Sequence, residues 1–212
     1  MADRPRISVL AGVNGAGKSS IGGAAIRASG ANYYNPDEIA RELTVARPGL
    51  TLAEANAAAW QTGRALLERA IQERLDFAFE TTLGGNTIPR LLGEAAKRGT
   101  EILVWYVGLA SPELHLERVA ARVRQGGHPI PEETIRQRYE RSRLNLVRLL
   151  PSLTALRVYD NSEHAEPEAA RPPAPRLVLH LETGRIRGPE DLSQTPDWAK
   201  PIVAAALQLS LR

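Results

Sequence analysis

A chain of 212 residues, 43% hydrophobic and 24% charged, has the length and composition of one ordinary globular domain, which excludes a fibre or a disordered tail. It contains no cysteine, which excludes a disulfide framework, a zinc–cysteine site and a cysteine nucleophile together. A net charge of +3 is too small to argue for nucleic acid by itself, and the opening MADRPRISVL lacks a signal-peptide apolar stretch, so the expectation is a cytoplasmic protein with no membrane span.

Ile7–Ala11 is a short apolar run that reads as a strand, and the residues after it fit G-x-x-x-x-G-K-[ST]. In a loop of that pattern the backbone N–H groups of Gly12, Asn14, Gly15, Ala16 and Gly17 wrap the phosphates of a nucleotide while Lys18 reaches the outer ones. Ser19 and Ser20 add hydroxyls, with Ser19 placed to sit on a magnesium ion. Ile21–Ala28 reads as the helix whose N-terminus stabilises the bound anion.

A second strand over Asn32–Asn35 puts Asp37 one turn beyond a strand end, where a carboxylate can accept a proton from an attacking hydroxyl. The competing role for Asp37 is the N-cap of the helix EIARELT. Thr51 and Glu54 make a capping box for a long helix through about Leu75. Asn56, Gln61, Thr62 and Arg64 interrupt its alanine-rich face, and Arg64 reads either as a contact to a diphosphate or as an exposed salt bridge. Trp60 and Trp198 sit at helical core spacing and need no ligand.

The strand Phe77–Thr81 carries Glu80 in an otherwise apolar run, where a buried acid needs a partner. Magnesium through water and an acceptor hydroxyl both suit Glu80, with Thr81 and Thr82 adding hydrogen bonds to the substrate. After the strand Ile102–Leu109, Ser111-Pro112-Glu113 opens a helix, and Pro131 starts another that ends before Pro151. These two carry Arg118, Arg122, Arg124, Arg136, Arg138, Arg141, Arg143 and Arg148, a cationic hairpin hinged at Gly126-Gly127. Such a hairpin suits a lid that brings arginines to developing charge, and Arg122 and Arg138, nearest its loop, are the pair chosen for that work. His128 is expected to stabilise the loop by a hydrogen bond.

The strand Arg157–Asp160 leads into Asp160, Asn161 and Ser162, which either border the nucleotide, with Asn161 as the contact, or form an ordinary turn. Residues 163–176 are a Pro/Ala-rich linker or exposed loop, and 177–212 hold a strand and turn followed by an amphipathic helix capped by Asp197. The expected fold class is α/β, with a mainly parallel sheet flanked by helices, a core over 1–162 and the arginine-rich helical lid at 118–148.

The segments AGVNGAGKSS, NPDEIARELT, FAFETTL, RVRQGGHPIPEETIRQRYERS and VYDNS occur in the order seen in the zeta-toxin-like P-loop kinases, and the chain resembles their short, single-domain members over roughly 7–162. The resemblance implies a kinase-type P-loop NTPase that uses ATP and Mg2+ to phosphorylate a hydroxyl. It implies further that Asp37 is the base, that Arg122 and Arg138 are the lid arginines, that a nucleotide sugar of the UDP-N-acetylglucosamine type is the acceptor, and that a protein antitoxin is a partner. This chain is shorter than those toxins and lacks much of their substrate-binding insertion. A transport cassette would need an LSGGQ-like signature and four apolar residues before an Asp-Glu pair, and neither is present. An RNA-associated module would need aromatic residues among the arginines, where only Tyr139 stands. An antibiotic, a sugar and a nucleic-acid end remain alternative acceptors.

Overall fold

The computed structural model describes residues 4–18, 33–163 and 174–211. Ser19, Ser20, Asn32, the expected helix Ile21–Ala28 and residues 164–173 of the expected linker lie outside the described residues.

Among the described residues seven strands form one sheet. They are β1 (Arg6–Ala11), β2 (Tyr33–Tyr34), β3 (Phe77–Thr81), β4 (Glu101–Gly108), β5 (Ala155–Asp160), β6 (Arg176–Glu182) and β7 (Arg185–Gly188), in the order β2-β3-β1-β4-β5-β6-β7. The first five pair in parallel, and the last two join antiparallel. Near-continuous apolar runs mark strands covered on both faces, and Ile7, Val9, Leu10 and Ala11 of β1 are fully buried.

Among the described residues six helices flank the sheet: α1 (Pro36–Ala46), α2 (Leu52–Glu73), α3 (Thr87–Lys97), α4 (Pro112–Arg124), α5 (Glu132–Leu149) and α6 (Lys200–Ser210). The capping box at Thr51 forms as the sequence dictates, and Ser111 caps α4 by accepting from the Leu114 N–H. The helix α3 was not drawn from sequence because Pro89 interrupts its apolar spacing. Pro89 falls in the first turn, where its missing N–H costs nothing, and Leu91, Leu92 and Ala95 bury the helix against the core.

Three expectations are corrected at the C-terminal end. The strand begins at Arg176, the last residue of the expected linker, and the strand and turn become a hairpin through Thr183 and Gly184, both at positive φ as a tight two-residue turn requires. Asp197 does not cap the last helix: a short 3-10 turn, Asp197–Ala199, comes first, and its carboxylate pairs with Lys200 Nζ at 2.6 Å. Trp198, Ile202, Val203 and Ala206 pack into the same core as β1 and β4, so the C-terminal residues complete the sheet's cover. Among the described residues no helix is long and apolar enough to cross a membrane.

Candidate active site

The loop after β1 is held from behind by backbone and side-chain contacts. Gly12 donates to the Thr81 carbonyl at 3.2 Å with φ +141°, and a Cβ there would stand 2.2 Å from the Val107 carbonyl oxygen, so only glycine fits. Gly15, Ala16 and Gly17 complete the turn, with Ala16 N–H donating to Val13 O at 3.1 Å. Asn161 Nδ2 donates to Ala16 O at 2.9 Å, so this residue, expected beside the nucleotide, braces the loop backbone.

A second brace was not read from the sequence. His115 of α4, 1% exposed, lies 2.8 Å through Nδ1 from the Asn14 carbonyl. A carbonyl only accepts, so Nδ1 carries the proton, and burial pushes the imidazole pKa down to about 4 against the pull of that bond. Asn14 in turn accepts Arg138 Nη1 on its side-chain oxygen at 2.7 Å. One loop residue thus meets both helices of the hairpin.

Lys18 makes no hydrogen bond or ion pair among the described residues. Burial lowers its pKa, Glu80 and then Asp37 raise it, and Arg122 and Arg138 lower it again. An ammonium held between two carboxylates and two guanidiniums is placed to meet an incoming polyanion.

Asn35, not Asp37, caps α1: its Oδ1 accepts from the Asp37 N–H at 3.0 Å. The competing role for Asp37 is therefore taken by its neighbour, and the Asp37 carboxylate lies 3.9 Å from Arg122 Nη1. Glu80, 7% exposed near the end of β3, accepts from the Tyr33 hydroxyl. Thr81 and Thr82 oxygens accept from the N–H groups of Leu83 and Gly84 at 3.1 and 3.3 Å, which shapes the loop and leaves each hydroxyl hydrogen available.

In the hairpin, Arg122 donates to His128 O at 3.2 Å, while its Nε is buried without a partner. A Cβ on Gly127 would stand 2.7 Å from Arg122 Cγ, so the hinge glycine is what lets this arginine lie against the loop. Arg138 is desolvated, which lowers its pKa, with Asp37 raising it. His128 is likewise lowered by burial, with Asp37 raising it. The remaining arginines divide between structure and solvent: Arg136 ties α5 to α4 through Glu113 at 2.7 Å, and Arg143 lies 4.1 Å over the Tyr139 ring.

The residues after β5 are turned inward. Asp160 accepts from the Ser162 hydroxyl and, at 3.2 Å, from the Trp198 indole N–H, while Ser162 Oγ accepts from Ala110 N–H at 2.8 Å. That motif knits strand ends to the C-terminal turn.

A cavity of about 690 Å³ opens where these elements meet, within the size of a small-molecule site. Asn14, Lys18, Asp37, Glu80, Thr82 and Arg138 all line it. Trp60 corrects the sequence reading, because the residue is 45% exposed and lines this cavity, whereas Trp198 at 3% is core. No group of three or more metal-ligating side chains occurs among the described residues. Glu80 is the buried carboxylate beside Lys18, a donor that suits a magnesium ion holding phosphate oxygens and waters for the rest of its shell.

A mainly parallel sheet in this order, with a phosphate loop after β1 and an arginine hairpin beside it, defines a P-loop kinase fold. The chain belongs to the zeta toxin family, whose model it matches over residues 1–167. It is 33% identical over 131 residues to an uncharacterized protein of Haemophilus influenzae, spanning 60% of this chain and 88% of that one. Its fold is similar to a chain of the AvrRxo1-ORF1:-ORF2 complex with ATP, at a TM-score of 0.68 and 16% identity, covering 97% of this chain and 64% of that one. The chain therefore spans less than two thirds of that protein's length. It is also similar to the PezAT toxin–antitoxin structure of Streptococcus pneumoniae, at a TM-score of 0.57 and 15% identity over 75% of this chain and 68% of that one.

Proposed function

We propose that this protein transfers the γ-phosphate of ATP to a hydroxyl of a small acceptor, of the nucleotide-sugar type found in the zeta-toxin resemblance. The observation that carries this reading is the cavity itself: Asn14 and Lys18 of the phosphate loop share one volume of about 690 Å³ with Asp37, Glu80, Thr81 and Thr82 and with residues of α2 and α5, room for a second substrate beside a nucleotide. Hydrolysis would need room for a water only.

The acceptor oxygen forms a bond to the γ-phosphorus as the bond from that phosphorus to the β-phosphate bridging oxygen breaks, and ADP leaves. Asp37 takes the hydroxyl proton. Lys18 and Arg138, already within the field of the loop, and Arg122, beside Asp37, oppose the charge spread over the transferring group. Thr81, Thr82 and Glu80 orient the acceptor. Gly12, Gly15, Ala16 and Gly17 receive phosphate on their N–H groups, as would Ser19 and Ser20 beyond the described residues. Ser19 and, through water, Glu80 would hold Mg2+, which when bound neutralises the phosphates. The lid is 118–148 within a core of 1–162, and β6, β7 and α6 complete the same sheet and core. Use of ATP fits a cytoplasmic protein. The AvrRxo1-ORF1:-ORF2 and PezAT complexes support a protein antitoxin as partner.

The test is transfer of radiolabelled γ-phosphate from ATP to a panel of nucleotide sugars, nucleosides, antibiotics and RNA ends. Label in a nucleotide sugar is the expected result. Label confined to RNA ends, or to an antibiotic, would replace the acceptor class.

A further inference from the structure

The buried face of α5 holds Ile135, Leu146 and Leu149, and among them an amide, Asn145, only 5% exposed. An amide in such a place is costly unless it is bonded, and its partners show what it holds. Asn145 Nδ2 donates to Leu83 O at 2.7 Å and to Gly85 O at 3.0 Å. Both partners are carbonyls, which only accept, so the amide nitrogen is the group that must face them.

Those carbonyls belong to the loop 81–85 after β3, which lines the cavity and carries Thr81 and Thr82. The loop does not keep its shape unaided. Leu83 has φ +52°, a left-handed conformation that a leucine holds only where its surroundings enforce it, and its side chain is buried. Four residues after Gly85 stands Pro89, which has no N–H to offer the Gly85 carbonyl, so a side chain from another element supplies the donor.

The same helix holds the phosphate side of the cavity. Arg138, which donates to Asn14 at 2.7 Å, precedes Asn145 by two turns, about 10 Å along one face of α5. Its stem also lies against the loop 81–85, because a Cβ on Gly84 would stand 2.7 Å from Arg138 Cγ. Between the two, Tyr139 donates to Ala110 O at 2.8 Å, and Ser142 Oγ lies 3.0 Å from the Tyr106 hydroxyl. The helix is therefore a fixed spacer, bonded to the phosphate loop at one point and to the acceptor-side loop at another.

We propose that Asn145 is a positioning residue for phosphoryl transfer: by clamping Leu83 and Gly85 it sets the loop that presents the acceptor hydroxyl at a fixed distance from the γ-phosphate held beside Arg138. The inference rests on the kinase reading, in which that loop orients a second substrate. Transfer needs the reacting atoms about 3–3.5 Å apart, and a misplacement of about 1 Å costs on the order of 10²-fold. Water needs no orienting loop and escapes that penalty. Loosening the clamp should therefore divert phosphate from the acceptor to water instead of slowing both.

The experiment measures that partition. The full chain receives γ-labelled ATP and Mg2+ with UDP-N-acetylglucosamine as the acceptor probe, and phosphorylated product is divided by ADP released. In the wild type nearly every ADP should be matched by product. Asn145→Ala should lower the ratio about tenfold or more, while calorimetry finds ATP affinity within about twofold of wild type. Gly84→Ala pushes the Arg138 stem off the loop and leaves the buried amide in place. It should lower the ratio in the same way, and it serves if Asn145→Ala does not fold. A general loss of packing would reduce both rates together and leave the ratio where it was. An unchanged ratio in these variants overturns this inference alone. A wild type that phosphorylates neither this probe nor any other hydroxyl compound of the panel brings down the kinase reading and this inference with it.

Discussion

Lys18 and Asp37 carry opposite expectations at the scale of single residues. Lys18 has no bond to lose among the described residues, so Lys18→Ala should abolish phosphate transfer while the thermal midpoint hardly moves. Because Asn35 supplies the helix cap, Asp37→Asn should cost turnover about 10²–10⁴-fold with ATP affinity retained, measured by steady-state kinetics and calorimetry. Unchanged turnover would remove it from the chemistry. His115 provides a pH test. Its pKa falls from 6.5 unfolded to about 4 folded, so between those values the unfolded chain binds a proton that the native protein refuses. Stability should therefore fall as pH drops through that window, by about 3 kcal/mol at its lower end, and be unaffected above it. In His115→Asn, which can still donate to Asn14 O, the slope should vanish while ATP binding survives. His115→Phe should lose both the slope and the ATP affinity. Legibility at this scale followed local geometry. The glycine pattern announced Lys18, and a strand end announced Asp37 and Glu80. The contacts of His115 with Asn14 span 101 positions along the chain, a pairing no local pattern carries. Trp60 failed for the converse reason: helical spacing says which residues share a face but not whether that face looks at the core or a cavity.

Among the elements, the hairpin of α4 and α5 decides how the site closes. Its two helices are joined by Arg136 to Glu113, an exposed pair whose loss should cost less than about 1 kcal/mol. Its working contacts lie at the loop end, where Arg122 approaches Asp37 and Arg138 holds Asn14. Arg122→Ala and Arg138→Ala should each bind ATP within a few-fold of wild type but slow transfer about 10²-fold or more, as expected for charge stabilisation realised as the phosphate moves. A matching loss of ATP affinity would instead make them ground-state binders. Helices with explicit start signals, the Thr51 capping box and Ser111-Pro112, were legible to within a residue or two. The helix α3 and the return strand β7, which makes the expected strand and turn a hairpin, were not. Pro89 disguised the first, and the second depends on β6, itself paired antiparallel with β5 across the interval between Asp160 and Arg176.

At the level of the whole molecule, β5 would be an open sheet edge without β6 and β7, and the core would lose Trp198, Ile202, Val203 and Ala206 with α6. A chain ending after residue 163 should therefore be recovered aggregated or unfolded, judged by circular dichroism and size exclusion, although the phosphate loop and lid are intact in it. The C-terminal residues also reach the site. Trp198 donates to Asp160 and accepts from Arg143, which lies over Tyr139, and the Tyr139 ring meets His115 edge-on at 5.6 Å behind the loop. The family and the α/β class were readable from five ordered motifs, because such motifs are local. This bracing was not, because it joins residues from both ends of the chain. The central claim is that the phosphate loop serves transfer to an acceptor, and the most direct measurement is ADP release with and without acceptor, followed by mass analysis of the product. The account predicts release that depends on an acceptor, a product heavier by one phosphate, and neither in Lys18→Ala. ADP release at full rate with no acceptor present, and no phosphorylated product from any hydroxyl compound, would contradict it.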